Sequence, residues 1–266
     1  MRLFGFEFQR KVIPDAAPSF APRDYDDGAV TVASGGAYGT YVDLDGTVRT
    51  EAELVTKYRE MSLQPEIDSA VDEITNEIIS IDEDVIINIV LDNTNIPEKV
   101  KKVLREEFTN ILNLLNFQNR AYEIFRRWYI DGRMYYHVIV DEKDVKSGIK
   151  ELRYVDPRKI RKIREVTKKK IPGGDGGEAV IPRVMNEYYI FNEKGFNYGN
   201  KTVGPSTTGI KISKDSVIHT VSGLTDTNGT MVLSYMHKAI KALNQLRTME
   251  DALVIYRLSQ IGRAHV

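Results

Sequence analysis

Cysteine is absent from the 266 residues, which removes disulfides, thiolate metal sites and cysteine nucleophiles together. An excess of one charge is missing too: 37 Lys and Arg stand against 38 Asp and Glu, so the chain lacks the cationic surplus of a protein that coats DNA on its own. Long hydrophobic runs are also lacking. The strongest, VIINIVL at 85–91, is far too short to span a bilayer, and Glu7 interrupts MRLFGFEFQRK where a signal peptide would be apolar. These absences read as a soluble, non-secreted chain without a membrane-spanning segment.

Catalytic signatures are missing as well. There is no P-loop, dinucleotide fingerprint or Gly-x-Ser-x-Gly, and His137, His219, His237 and His265 have no paired metal-ligand spacing. The expectation is therefore no catalytic residue, no metal and no cofactor. One string argues otherwise: DLDGT at 43–47 is similar to the opening of haloacid-dehalogenase phosphatases, with Asp43 as nucleophile and Asp45 as acid partner around Mg²⁺. That chemistry needs a buried parallel strand just before Asp43, whereas SGGAYGTYV carries three glycines and only a brief apolar end. Asp45-Gly46 reads better as a turn before a helix capped by Thr50, with the phosphatase kept as an alternative.

What is present falls into three regions. Residues 12–50 are rich in Gly, Pro, Asp and Ser, and residues 1–50 read as a flexible arm. A capping box, Thr50 to Glu53, opens a helix with Leu54, Val55 and Tyr58 on its apolar side. Pro65 opens another, on which Ile67, Val71, Ile74, Ile78 and Ile81 share a face. Between Glu66 and Asp84 it carries eight carboxylates and no Lys or Arg, which reads as a solvated face, with a partner-facing or metal-holding surface as the alternative. VIINIVL reads as a strand. Pro97 then precedes a long helix through Val100, Val103, Leu104, Phe108, Ile111 and Leu115, and a further helix spans about 118–130, with Ala121, Ile124, Phe125 and Trp128 packing inwards.

From 134 to 222 the pattern changes to β-type runs: MYYHVIVD, GIKELRYVD, IRKIREV, EYYIFNE and SVIHTVSG. The glycine-bearing gaps at 173–177 and 197–209 do not lead from a strand into a helix, so they read as hairpin loops and not as phosphate cradles. Lys150 to Lys170 holds ten Lys or Arg against three acids, and Arg161, Lys162 and Arg164 are its candidate nucleic-acid contacts. Ile160, Ile163 and Val166 interleave with those charges, as in a strand with one buried face. A helix is expected over about 231–258, with Leu243, Leu246, Leu253 and Tyr256 as candidate packing or subunit-interface residues.

Taken together, FRRWYIDGRMYYHVIVD at 125–141, IKELRYVDPRKIRKIREV at 149–166, VSGLTD at 221–226 and HKAIKALNQLRTMEDALVIYRLS at 237–259 resemble the portal vertex protein of T-even-type contractile-tailed bacteriophages, in order from about Thr50 to Ser259. The resemblance implies an α+β fold: a helical N-terminal part packed with a mainly antiparallel β region as a wing over 51–230, then a stem-type helix over 231–259. It implies no enzyme, but a subunit of a dodecameric ring at one vertex of the virion, assembled in the host cytoplasm. Double-stranded DNA would pass through that ring. Terminase, major capsid, scaffold and neck or tail proteins would be its partners. The alternative is a stand-alone nucleic-acid-binding module using 150–170.

The clip, second stem helix and crown of that family have no counterpart here. IGRAHV at 261–266 can be encoded by ATC GGA AGA GCA CAC GTC, a common sequencing-library adapter read in frame, and the expectation is that the natural sequence stops at Ser259.

Overall fold

A computed structural model describes residues 2–3, 6–7, 27–33, 36–38, 51–79, 87–141, 143–144, 147–172, 178–196, 209–226 and 231–263. Asp43, Asp45, Thr50, Ile81, His265 and most of both glycine-bearing loops lie outside them. Near the N-terminus two short strands, β1 (Arg2–Leu3) and β2 (Phe6–Glu7), pair with each other, and β3 (Val30–Ala33) pairs antiparallel with β4 (Gly36–Tyr38).

Four helices follow: α1 (Glu51–Met61), α2 (Pro65–Ile78), α3 (Glu98–Leu114) and α4 (Phe117–Asp131). Pro65 sits in the first turn of α2, where its missing N–H costs no helical bond, with acidic Glu66 and Asp68 beside it at the positive end of the helix dipole. The expected one-sided burial holds in part. Val71 and Thr75 are buried, but Ile78 stays exposed. Two of the carboxylates of α2 are not merely solvated: Asp68 and Asp72 pair with Arg126 of α4, and the Tyr122 hydroxyl donates to Asp72 at 2.6 Å.

Two expectations are corrected here. Residues 87–91 form no strand but run irregularly to the buried Leu91, because no neighbouring strand among the described residues pairs with their backbone. The stripe on α3 is only half covered: Val103, Leu104 and Ile111 remain exposed.

Gly132 ends α4 in the left-handed region, its N–H donating to the Trp128 carbonyl at 2.9 Å, and the chain turns at once into β5 (Arg133–Val140). A side chain there would lie 2.7 Å from the Ser234 Cα and 2.8 Å from the Leu233 carbonyl oxygen. Only glycine lets those backbones meet.

The β region matches the expected runs in β6 (Ile149–Val155), β7 (Ile160–Pro172), β8 (Glu178–Phe191) and β10 (Val217–Val221), with β7 and β8 longer than their runs, and it adds an unexpected short strand, β9 (Ile210–Ser213). One sheet has the order β10-β5-β6 and the other β4-β3-β7-β8-β9. Among the described residues every pairing is antiparallel except β3 on β7, where Val30 stands opposite Ile163 and Ala33 opposite Val166. Both glycine-bearing gaps therefore join antiparallel neighbours.

The closing helix begins later than expected. Leu224–Thr225 (β11) pairs with Val232–Leu233 (β12), the Ser234 hydroxyl accepts from the Met236 N–H at 3.0 Å, and a 3-10 turn at Tyr235–Ala239 leads into α5 (Ile240–Arg263). Ser234 is a start signal inside what looked like one periodic run. The main core joins helices and chain end: Leu54, Tyr58 and Met61 of α1 meet Val71, Ile130, Met236, Ile240 and Leu243. A second core, Tyr135, Ile160, Tyr189 and Val217, lies between the sheets.

Candidate functional site: a projecting helix and a buried ion cluster

α5 is anchored at one end only. Ile240 and Leu243 are buried in the main core and Leu246 is half-buried. Beyond it Met249, Leu253, Val254, Ile255, Tyr256 and Leu258 are all exposed, Leu253 at 57% and Tyr256 at 58%. At about 1.5 Å per residue, the stretch from Leu246 to Arg263 reaches roughly 26 Å. Ala252-Leu253-Val254-Ile255-Tyr256 is apolar around the whole helix circumference, a pattern that belongs to a helix covered on several sides. Of the four candidate packing residues, the structure thus brings Leu243 fully and Leu246 partly into the fold and leaves Leu253 and Tyr256 outside it.

The basic stretch turns inwards. Lys162 and Arg164 are 8% and 4% exposed. Lys162 Nζ lies 2.5 Å and the Arg164 guanidinium 2.6 Å from one carboxylate oxygen of Asp27, and Arg164 also donates to Glu187 at 2.7 Å. Burial pushes the Asp27 carboxyl up, but the Lys162 hydrogen bond and the Lys162 and Arg164 charges outweigh it and hold the group below the ordinary 3.8. Arg161, the third candidate, stacks its guanidinium 4.4 Å over the Phe196 ring. Two of the three candidate nucleic-acid contacts, Lys162 and Arg164, thus meet carboxylates inside the fold.

Beside this cluster His219 stacks on Tyr135 at 4.3 Å, and its Nε2 is buried without a partner. Burial, with Arg133 and Lys162 nearby, pushes its pKa down from 6.5 to about 3, so it is neutral in the fold. His237 is also pushed down by burial and Lys57, and its Nδ1 lies 2.7 Å from the Tyr58 hydroxyl. Both histidines serve packing.

A second ion group ties α1 to both neighbours. Arg59 donates to Asp131 at 2.8 and 2.7 Å and to Asp156 at 3.1 Å. Burial pushes the Asp131 carboxyl up against the Arg59 hydrogen bonds; with a fork this close we read the pair as ionised at neutral pH. Among the described residues no group of His, Asp or Glu could hold a metal ion. An open apolar hollow between α2, α4 and β5, lined by Ile78, Ile87, Phe117, Ile124, Trp128 and Met134, carries almost no polar surface for chemistry.

The sequence reasoning missed Asp27. Its signal was available: Asp24, Asp26 and Asp27 lie close together in the sequence, an acidic counterpart to the basic run of 150–170.

What the described residues offer is an exposed apolar helix end and ion groups closed within the fold. The family described as bacteriophage T4-like portal protein (Gp20) matches residues 51–263. The chain belongs to the T4-like portal protein family. It is 35% identical over 227 residues to the portal protein of Vibrio phage KVP40, covering 84% of this chain and 43% of that protein. It is 34% identical over 245 residues to the portal protein of Salmonella phage ViI, covering 89% of this chain and again 43% of the relative. The chain thus spans less than half the length of the curated relatives it matches. The α+β architecture with a long closing helix agrees with the fold expected from the portal family.

Proposed function

We propose that the chain builds the portal vertex of a phage head as one of the copies of a dodecameric ring. In this reading residues 51–230 form the peripheral wing, the helix near 231–259 leads into the stem, and double-stranded DNA is packaged and ejected along the ring axis. The ring carries out no bond-breaking. Terminase supplies the packaging motor, while major capsid, scaffold and neck or tail proteins dock on the outside.

The observation that carries the proposal is the projecting end of α5, whose apolar side chains point in every direction. A ring offers each copy two different neighbours, so one helix can be covered from several sides at once. Leu253→Asp is expected to leave the fold intact and abolish ring formation, read by light scattering and electron microscopy. Rings from that variant indistinguishable from wild type would overturn the assignment of α5. A stand-alone nucleic-acid module fits less well, because Lys162 and Arg164 are buried against Asp27 and Glu187.

A further inference from the structure

Two buried polar atoms without a partner among the described residues belong to neighbouring strands of one sheet. The first is the Nε of Arg133, which opens β5 and is 2% exposed. The rest of its guanidinium is engaged: one terminal nitrogen lies 2.7 Å from the Glu51 Oε1 and the other donates to the Val232 carbonyl. The second is the Nε2 of His219 on β10. Buried donors and acceptors are as a rule satisfied, because one left unpaired costs its full desolvation.

The strand register brings the two atoms together. His219 stands opposite Tyr135 and Val221 opposite Arg133, so Arg133 and His219 are diagonal neighbours whose side chains rise from one face of the sheet. Diagonal neighbours have Cβ atoms about 7 Å apart or somewhat less. In each side chain the unpaired nitrogen is the third atom beyond Cβ, through Cγ and Cδ in arginine and through Cγ and Cδ2 in histidine. Both nitrogens therefore stand at the same level above the sheet. The Tyr135 ring, stacked on the imidazole at 4.3 Å, covers one side of the space between them, and Arg133 is the charge that acts most strongly on His219. Such a gap suits one small molecule making two hydrogen bonds of about 2.9 Å each.

The chemistry narrows the molecule. An arginine Nε–H can only donate, so the ligand must accept from it. An anion is not called for, because each cation around the site already touches a carboxylate: Arg133 meets Glu51, Lys162 meets Asp27, and Arg164 meets Asp27 and Glu187. An apolar ligand would leave both nitrogens unpaired. Water is neutral, fits the gap and can accept from one nitrogen while donating to the other.

We infer that one structural water is bound between Arg133 and His219, accepting from the arginine Nε–H and donating to the imidazole Nε2, which holds the ring as the tautomer with its proton on Nδ1. The site depends neither on ring assembly nor on DNA. It completes the bonding of a guanidinium that ties β5 to α1 through Glu51 and to β12 through Val232, so His219 is a positioning residue for Arg133 as well as a packing ring.

Nitrogen-15 NMR of the histidine-labelled full chain reads the tautomer, and a high-resolution crystal structure reads the ligand. The expected results are a proton on His219 Nδ1 with Nε2 bare, and a water peak within about 3 Å of both nitrogens. Oxygen-17 relaxation dispersion counts long-lived internal waters in solution, and the count is expected to fall by one in His219→Phe. His219→Gln places its side-chain carbonyl oxygen at the same third position beyond Cβ and is expected to keep the water. A proton on Nε2, a direct bond between the two nitrogens, an anomalous peak at the site in crystals grown with bromide, or a water count unchanged in His219→Phe would each overturn the inference. Should His219→Phe fail to fold, the tautomer and the crystal density of the wild-type chain decide the matter alone.

Discussion

At the scale of single residues, several charged groups close upon one another within the fold. Asp27, Lys162, Arg164 and Glu187 form one such group, and Arg59, Asp131 and Asp156 another. Breaking a buried pair by removing one partner typically costs about 3–5 kcal/mol, because the charge left behind has lost both water and counter-ion. His219 sits against the first group as a neutral ring, which gives a testable dependence on pH. An unfolded histidine takes up a proton below about pH 6.5, whereas the folded one resists until about 3, so the unfolded state binds more protons throughout that window. Stability from this residue is complete above pH 6.5 and is lost as the pH falls towards 3, a change on the order of 5 kcal/mol. His237 contributes in the same direction, and Asp156, held at about 2 despite burial by its Arg158 and Arg59 partners, adds its own loss below about pH 4. His219→Phe keeps a ring to stack on Tyr135 and removes the proton. Its unfolding free energy, followed by urea titration from pH 7 to pH 4, is expected to fall less steeply than wild type. Parallel curves for the two proteins would show that His219 is not buried as a neutral ring.

At the scale of elements, what the sequence made legible depended on how much of the decision was local. β5 to β8 and β10 were readable because each run carries its own alternation and is bounded by turns. α2 and α4 were readable because apolar residues recur at helical spacing. VIINIVL failed because a strand is completed by its neighbour, and composition cannot supply one. The start of α5 was misplaced because Ser234 caps the helix after a short hairpin, and the periodic positions Met236 and Ile240 run straight across that break. The seat of β3 on β7 joins residues about 130 apart in the chain and left no local trace except the opposite charges. α5 itself divides into an anchored and a projecting half, and the halves should respond differently to truncation. Leu243→Ala removes buried methyl groups from the main core and is expected to cost about 2–4 kcal/mol. Leu253→Ala trims a side chain that touches little within the chain and is expected to change unfolding in urea by less than about 0.5 kcal/mol. Equal losses at the two positions would mean that the outer half of α5 folds back onto its own chain.

At the scale of the whole molecule, a near-neutral balance, ion groups closed on themselves and exposed apolar helix faces describe a part made to be packed among others. A conduit for DNA has reason to avoid strong binding, since each phosphate neutralised by a fixed cation must be released before the duplex can advance. Under the proposed function, the net charge of −1 and the inward turn of Lys162 and Arg164 would both serve that end. Lys162→Ala and Arg164→Ala should therefore act on folding and not on DNA. Each is expected to lower the urea midpoint clearly, by leaving Asp27 short of a partner. Duplex DNA affinity by fluorescence anisotropy, and its slope against salt concentration, should stay at the wild-type value wherever the variants remain folded. Loss of affinity together with a shallower salt slope, at an unchanged urea midpoint, would mean that these two cations reach the phosphate backbone after all, and that the cluster opens when DNA is present.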